Sequence, residues 1–265
     1  MTWPDRELEV VAAVARRAGD EALTVRREGR LRTGTKAGGE VVTAADLRAD
    51  ELIGDRLRTA FPTDGLWSEE TPGRPESGSG RMWVVDPLDG TGDYVAGGDA
   101  FSVSIGLAVD GTPVLGVVYN PSRGHLVAGA VGGGVALNGE PARASARTEA
   151  VGARVSCSPR EEAAVAGALR GAGLDVVLEP IASMAYKLAR VAVALDDATL
   201  TLRGRKPWGL CAGVALARAG GAAVVLLGGG EITIDPRHDR QPSGLLAGPD
   251  GIIRELAGLA AGARA

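Results

Sequence analysis

Apolar residues recur at three- and four-residue intervals from Leu8 through Val11, Ala12, Ala15, Ala18 and Ala22 to Val25. That spacing predicts a long amphipathic helix over 4–28. After a loop over 34–40 that carries Gly and Lys36, the same period returns in Leu47, Leu52, Ile53 and Leu57, predicting a second helix over 43–60. Thr43 and Asp46 have the spacing of a capping box, although the acid of such a box is usually Glu or Gln. A short strand then delivers Glu69 and Glu70, and a Pro-, Gly- and Ser-rich loop over 71–80 leads to a buried strand at Met82–Val85. Alternating patterns predict antiparallel strands over 100–109, 112–119 and 125–131, and glycines at 132–134 and 139 punctuate one more hairpin.

Past a change in composition near 143–152 the order becomes strand and helix in alternation. Strands are predicted over 154–158, 175–178, 198–202 and 222–227, and helices over 160–170, 183–195 and 210–219. Such alternation predicts a mainly parallel sheet. The expected division is therefore 1–150, helices plus an antiparallel sheet bearing a candidate metal site, and 151–265, an α/β subdomain with substrate-side residues.

Composition narrows the function. Hydrophobic residues make up 45% and charged residues 23% of the 265-residue chain, which is a globular balance. A net charge of −4 argues against binding nucleic-acid polymers or membrane surfaces. No apolar run approaches the ~18 residues of a membrane span, and the first residues lack the pattern of a signal peptide. Cys157 and Cys211 imply no disulfide framework, so a cytoplasmic setting is expected. Two histidines, His125 and His238, leave little scope for a zinc site. Of 29 basic residues only Lys36, Lys187 and Lys206 are lysines. Each is either kept for its compact charge or is a chance survivor on the surface.

The candidate chemistry centres on Trp83-Val84-Val85-Asp86-Pro87-Leu88-Asp89-Gly90-Thr91. A strand ending on one carboxylate, a proline turn, a second carboxylate and a Gly-Thr helix start is either a plain turn or a metal and anion site. Two Asp so close repel unless a hard cation such as Mg²⁺ lies between them. Gly90 would let backbone N–H groups approach an anion.

The company of this motif decides between the two. Ser68-Glu69-Glu70 and Lys36 to Asp46 lie upstream, and Trp208-Gly209-Leu210-Cys211-Ala212-Gly213 and Ala219-Gly220-Gly221 downstream. In that order the chain resembles the inositol monophosphatase family of Mg²⁺-dependent, Li⁺-sensitive phosphatases, from about Leu8 to Leu246. The resemblance implies the layered α-β-α-β-α sandwich shared with fructose-1,6-bisphosphatases, two or three Mg²⁺ sites, and a homodimer. It implies that Glu70, Asp86, Asp89 and the Leu88 carbonyl hold Mg²⁺, and that Thr91 with Glu70 activates a water, with Asp46 behind the threonine. Gly90 and Thr91 would bind phosphate oxygens.

Three departures qualify the resemblance. Gly209 stands where the family has an Asp that completes a second metal site, which makes that site doubtful here. Asp93 adds a negative charge beside the motif and is a conceivable ligand. Leu202 replaces a hydroxyl-binding Glu and is followed by Arg203, Arg205 and Lys206, either a solvated loop or a reader of a second anionic group. Ser183 and Lys187 match the family's helix start, where Ser183 is either the N-cap or a substrate contact and Lys187, one turn on, is expected to face the ligand. The expectation is a phosphomonoesterase acting on a small sugar phosphate or a bisphosphorylated sugar or nucleotide. The alternative is a weakened or inactive phospholigand-binding homologue that lost turnover with Gly209.

Overall fold

The computed structural model describes residues 5–29, 31, 33–35, 41–71, 79–238, 240–241 and 243–262. Five layers alternate helix and sheet. The outer pair of helices, α1 (Asp5–Arg27) and α2 (Ala44–Ala60), sets Val11, Ala15 and Ala18 beside Ala49, Ile53 and Leu57. The helical period seen in the sequence is thus the stripe that meets the first sheet.

That sheet has seven strands in chain order: β3 (Gly65–Ser68), β4 (Arg81–Asp89), β5 (Ser102–Val109), β6 (Thr112–Asn120), β7 (His125–Ala130), β8 (Gly134–Leu137) and β9 (Glu140–Ala142). All neighbours are antiparallel except β3 and β4. Val103, Ile105 and Leu107 of β5 face α1 and α2 with Leu115 and Val117 of β6. Fully burying each such side chain contributes about 1.5–3 kcal/mol. The short pair β1 (Thr33–Thr35) and β2 (Val41–Thr43) stands apart from both larger sheets, inside and beside the expected loop.

The opposite face of the first sheet covers α5 (Met184–Ala192) and α6 (Cys211–Ala219), through Val118 and Val127 against Tyr186, Ala189, Ala212 and Leu216. Gly116 permits this contact, because an added Cβ would run into the Ala212 backbone. The same two helices turn Leu188, Val191 and Val214 to the second sheet. Its far side is closed by α4 (Glu162–Gly171) and α7 (Asp250–Gly262), with Val165, Leu169, Ile252 and Leu256 in the last core layer. The layered α-β-α-β-α sandwich is the one expected.

The second sheet departs from expectation. Its order is β11 (Val177–Pro180), β10 (Arg154–Cys157), β12 (Ala198–Thr201), β14 (Leu245–Gly248), β13 (Ala223–Leu226). β10 is parallel to both β11 and β12, but β14 inserts antiparallel to both β12 and β13, so the sheet is mixed rather than mainly parallel. The run Leu245-Leu246-Ala247 is too short to announce a strand by alternation. It is one because it fills the gap between two strands that have no other partner there.

Candidate metal and phosphate site

Strand β4 does not turn at Pro87. It continues to Asp89 through a bulge. Asp86 pairs with Ser104 of β5, and Asp89 pairs with Ser102, so three residues on one strand span two on the other. In a regular strand, positions three apart face opposite ways. Here both acids share a face because their partners do. Pro87, which has no N–H to give, sits in the bulge where no ladder bond is required.

The two acids then differ in support. Asp89 Oδ2 accepts hydrogen bonds from Ser183 Oγ and the Ala185 N–H, both at 2.7 Å, at the start of α5. Asp86 Oδ1 accepts the longer hydrogen bond of the Leu88 N–H at 3.2 Å, and Asp86 shares a side-chain hydrogen bond with Glu69. Burial raises both carboxyls. For Asp86, repulsion from Glu69, then Asp89, then Asp46, adds to burial and pushes it well above the usual carboxylate range.

The acid delivered by β3 is Glu69, not Glu70. The parallel register pairs Ser68 with Val85, and the Glu69 N–H donates to the Val85 carbonyl at 3.0 Å, so the next residue falls beside Asp86. Glu69 lines a cavity of about 520 Å³ with Asp86, Leu88, Asp89, Gly90 and Thr91, and Glu70 does not. Asp50 of α2 fixes this strand end by accepting from Ser68 Oγ and, at 2.7 Å, from Thr71 Oγ1. Sequence reasoning had no means of choosing between adjacent glutamates before the register was known.

After Asp89 the chain enters the short helix α3 (Thr91–Val95) through Gly90, whose φ of +94° is a left-handed conformation that glycine adopts without strain. An added Cβ would also press on the Ala100 carbonyl at 3.0 Å. Thr91 Oγ1 lies 3.1 Å from Asp46 Oδ1 and 2.9 Å from the Leu88 carbonyl. Asp46 is buried at the first turn of α2. Its Oδ2 accepts from the Thr43 N–H at 2.8 Å and Thr43 Oγ1 at 2.6 Å, completing the capping box. Burial raises this carboxyl as well, against the hydrogen bonds that lower it. One residue therefore both caps a helix and stands behind the threonine.

At the other end of the cavity lie Arg160, Arg205, Lys206, Trp208 and Gly209. Arg205 Nη2 donates to Glu161 Oε2 at 2.6 Å and to Ser158 Oγ at 2.8 Å. Lys206 Nζ sits 5.2 Å from the centre of the Trp208 ring, a cation–π distance. Arg203 is exposed and does not line the cavity; its N–H donates to Glu161 Oε1. Arg160 was not singled out from the sequence, which offers only a cation after Ser158-Pro159.

Three further expectations, for Ser183, Lys187 and Asp93 as ligand contacts, are corrected. Ser183 and Lys187 are fully buried and lie outside the cavity lining, so neither reaches a ligand there. Ser183 caps α5 by accepting from the Tyr186 N–H and donates to Asp89. Lys187 Nζ donates to Ser158 Oγ and the Ile181 carbonyl, both at 3.0 Å, and burial lowers its pKa to about 8. Asp93 is no ligand of the cavity, because its Oδ2 accepts from the Ala100 N–H at 2.8 Å. Lys36 lies outside the described residues.

Among the described residues, no three His, Cys, Asp or Glu side chains form a preassembled metal cage. The chemistry of the donors nevertheless fits Mg²⁺. Glu69, Asp86, Asp89 and the Leu88 carbonyl are hard oxygen donors on one cavity, and their mutual repulsion at Asp86 is what a divalent cation relieves. Gly209 is buried and contributes no donor side chain.

Comparison with known proteins places this architecture. The model of the inositol monophosphatase family matches residues 3–261. Inositol monophosphatase 3 of Solanum lycopersicum is 31% identical over 244 residues, covering 87% of this chain and 90% of that protein. A histidinol-phosphatase of Chlorobaculum parvum is 37% identical over 143 residues, and there the match spans only about half of each, 54% of this chain and 55% of the relative. The structure of the Thermotoga maritima IMPase superposes with a TM-score of 0.84 at 26% identity, covering 98% of both chains. The protein belongs to the inositol monophosphatase family.

Proposed function

We propose that the protein is a Mg²⁺-dependent phosphomonoesterase acting on a small phosphorylated metabolite that bears a second anionic group. The observation that carries this reading is the joining, in one cavity, of three carboxylates and a carbonyl with the Thr91–Asp46 pair and the backbone of Gly90 to Gly92. Glu69, Asp86, Asp89 and the Leu88 carbonyl would hold the ion. When bound, Mg²⁺ supplies positive charge that acidifies an attacking water and offsets charge on the phosphoryl oxygens.

This chain's own residues do the rest. Thr91 directs its hydroxyl hydrogen at Asp46 Oδ1, so that as its oxygen takes a proton from water its own proton passes to that carboxylate. Glu69 offers a second carboxylate to the same water from the strand end. The N–H groups of the Gly90–Gly92 segment are the donors for the phosphate oxygens. Proton transfer of this kind contributes typically 10²–10⁴-fold to a rate.

The basic end of the cavity supports the second anion. A substrate with an amine and an imidazole, such as histidinol phosphate, would meet like charge at Arg160 and Lys206. A neutral polyol would offer Arg160 and Lys206 no anion. The reading includes a homodimer, as expected from the resemblance, in the cytoplasm, as expected from the cysteine usage. Gly209 favours a second reading, a phospholigand-binding homologue with little turnover.

Phosphate release from a panel of neutral, cationic and bisphosphorylated esters, with Mg²⁺ and with excess chelator, tests both. Metal-dependent release that is fastest with the bisphosphates is expected. Tight binding without release from any ester supports the second reading instead.

A further inference from the structure

We infer that the space in front of Gly209 is a subsite for the substrate's second anionic group, with Arg160 as its principal contact. Gly209 is thus a specificity-determining position and not only a lost ligand. The inference rests on the cavity being the phosphate site proposed above.

The backbone does not require glycine at 209. Its φ lies outside the left-handed region, and an added Cβ would meet only Met184 Cβ at 3.6 Å and the Lys206 carbonyl at 3.8 Å, ordinary contact distances. A side chain could be accommodated, so what its absence provides is room. That room opens into the cavity that Arg160 and Lys206 also line. A carboxylate at 209, with or without an ion on it, would fill that room and leave an incoming anion no place.

Arg160 is placed to receive that anion. Its side chain forms no hydrogen bond or ion pair with another described residue, whereas Arg205 is tied to the buried Glu161 and to Ser158. The 3₁₀ turn Pro159–Glu161 sends Glu161 inward, where it accepts from both Arg205 and the Arg203 N–H, and presents Arg160 outward on an anchored backbone. A charge-assisted bond to such a group discriminates on the order of tenfold or more between a ligand with the anion and one without.

The test uses phosphonates, whose C–P bond the proposed reaction does not cleave. Calorimetric titration compares 3-phosphonopropionate with 3-hydroxypropylphosphonate, which differ in a carboxylate against a hydroxymethyl group. Wild-type protein with Mg²⁺ should bind the carboxylate about tenfold more tightly. Arg160→Gln, a change at an exposed residue, and Gly209→Asp should each bring the ratio toward one. Equal affinities in the wild type, or a ratio that survives both substitutions, overturns the subsite while leaving the phosphatase reading intact. Failure of both phosphonates to bind the wild type removes the phosphate site, and the inference with it.

Discussion

Thr91 Oγ1 and Asp46 Oδ1 stand 3.1 Å apart although 45 residues separate them in the chain. Neither residue is free to drift. Asp46 is fixed by the Thr43 N–H and hydroxyl at the start of α2, and Thr91 by the Leu88 carbonyl across the bulge. The pair therefore joins the helical layer to the sheet at the point where chemistry is proposed.

Removing the hydroxyl should separate proton transfer from ion binding. Thr91→Val is expected to lower kcat about 10²-fold with little change in Mg²⁺ affinity, and Thr91→Ser to retain most activity. Steady-state kinetics with a Mg²⁺ titration check this. Equal activity of the valine and wild-type enzymes would remove Thr91 from the mechanism.

The register of β3 on β4 makes adjacent glutamates unequal. Glu69→Gln should abolish Mg²⁺-dependent phosphate release and weaken Mg²⁺ binding, as should Asp86→Asn and Asp89→Asn, whereas Glu70→Gln should cost far less. Calorimetric Mg²⁺ titration of the four variants is the measurement. The reverse order for Glu69 and Glu70 would mean that the strand end presents the other acid.

Gly209→Asp tests what the missing side chain means for the ion. The backbone accepts a Cβ there without strain, so the new carboxylate would line the cavity that also holds Asp86 and Asp89. We expect an additional Mg²⁺ per chain at millimolar concentration. We also expect a rise in kcat on monophosphates, on the order of 10²-fold if the ion acts on the leaving oxygen. Unchanged Mg²⁺ stoichiometry in a folded variant would count against a vacated ligand position.

Lys187 predicts a pH dependence of stability. Its pKa in the folded protein is lowered from 10.5 to about 8, chiefly by burial and then by Arg205. Between these values the unfolded chain holds a proton that the folded chain does not, so stability rises with pH through that window. Relative to Lys187→Met, the wild type should gain on the order of 3 kcal/mol from pH 7.5 to 10.5. Urea denaturation of both proteins across that range is the check, and parallel pH profiles would contradict it.

A last prediction separates Arg203 from Arg160. Arg203→Ala should change KM little for any substrate, because Arg203 lies outside the cavity, whereas Arg160→Ala should raise KM for bisphosphates more than for monophosphates. Initial-rate kinetics on one substrate of each class distinguish them.

The sequence by itself determined the helical stripes of α1 and α2, the hairpins of the first sheet, the acids at 86 and 89, and Thr43 with Asp46. These rest on spacing within one segment, which local period and local hydrogen bonds dictate. Tertiary structure alone decided the rest, because it depends on register and on which segments become neighbours. Pairing of Ser68 with Val85 chose Glu69 over Glu70, since a shift of one residue reverses which side chain faces the cavity. The bulge at Pro87 turned two acids three residues apart to one face. Packing of α5 between the sheets withdrew Ser183 and Lys187 from the cavity and left Met184, at the helix start, on its lining. The turn that follows Ser158 brought Arg160 to a site assembled from residues more than sixty positions earlier, and no local pattern records that meeting.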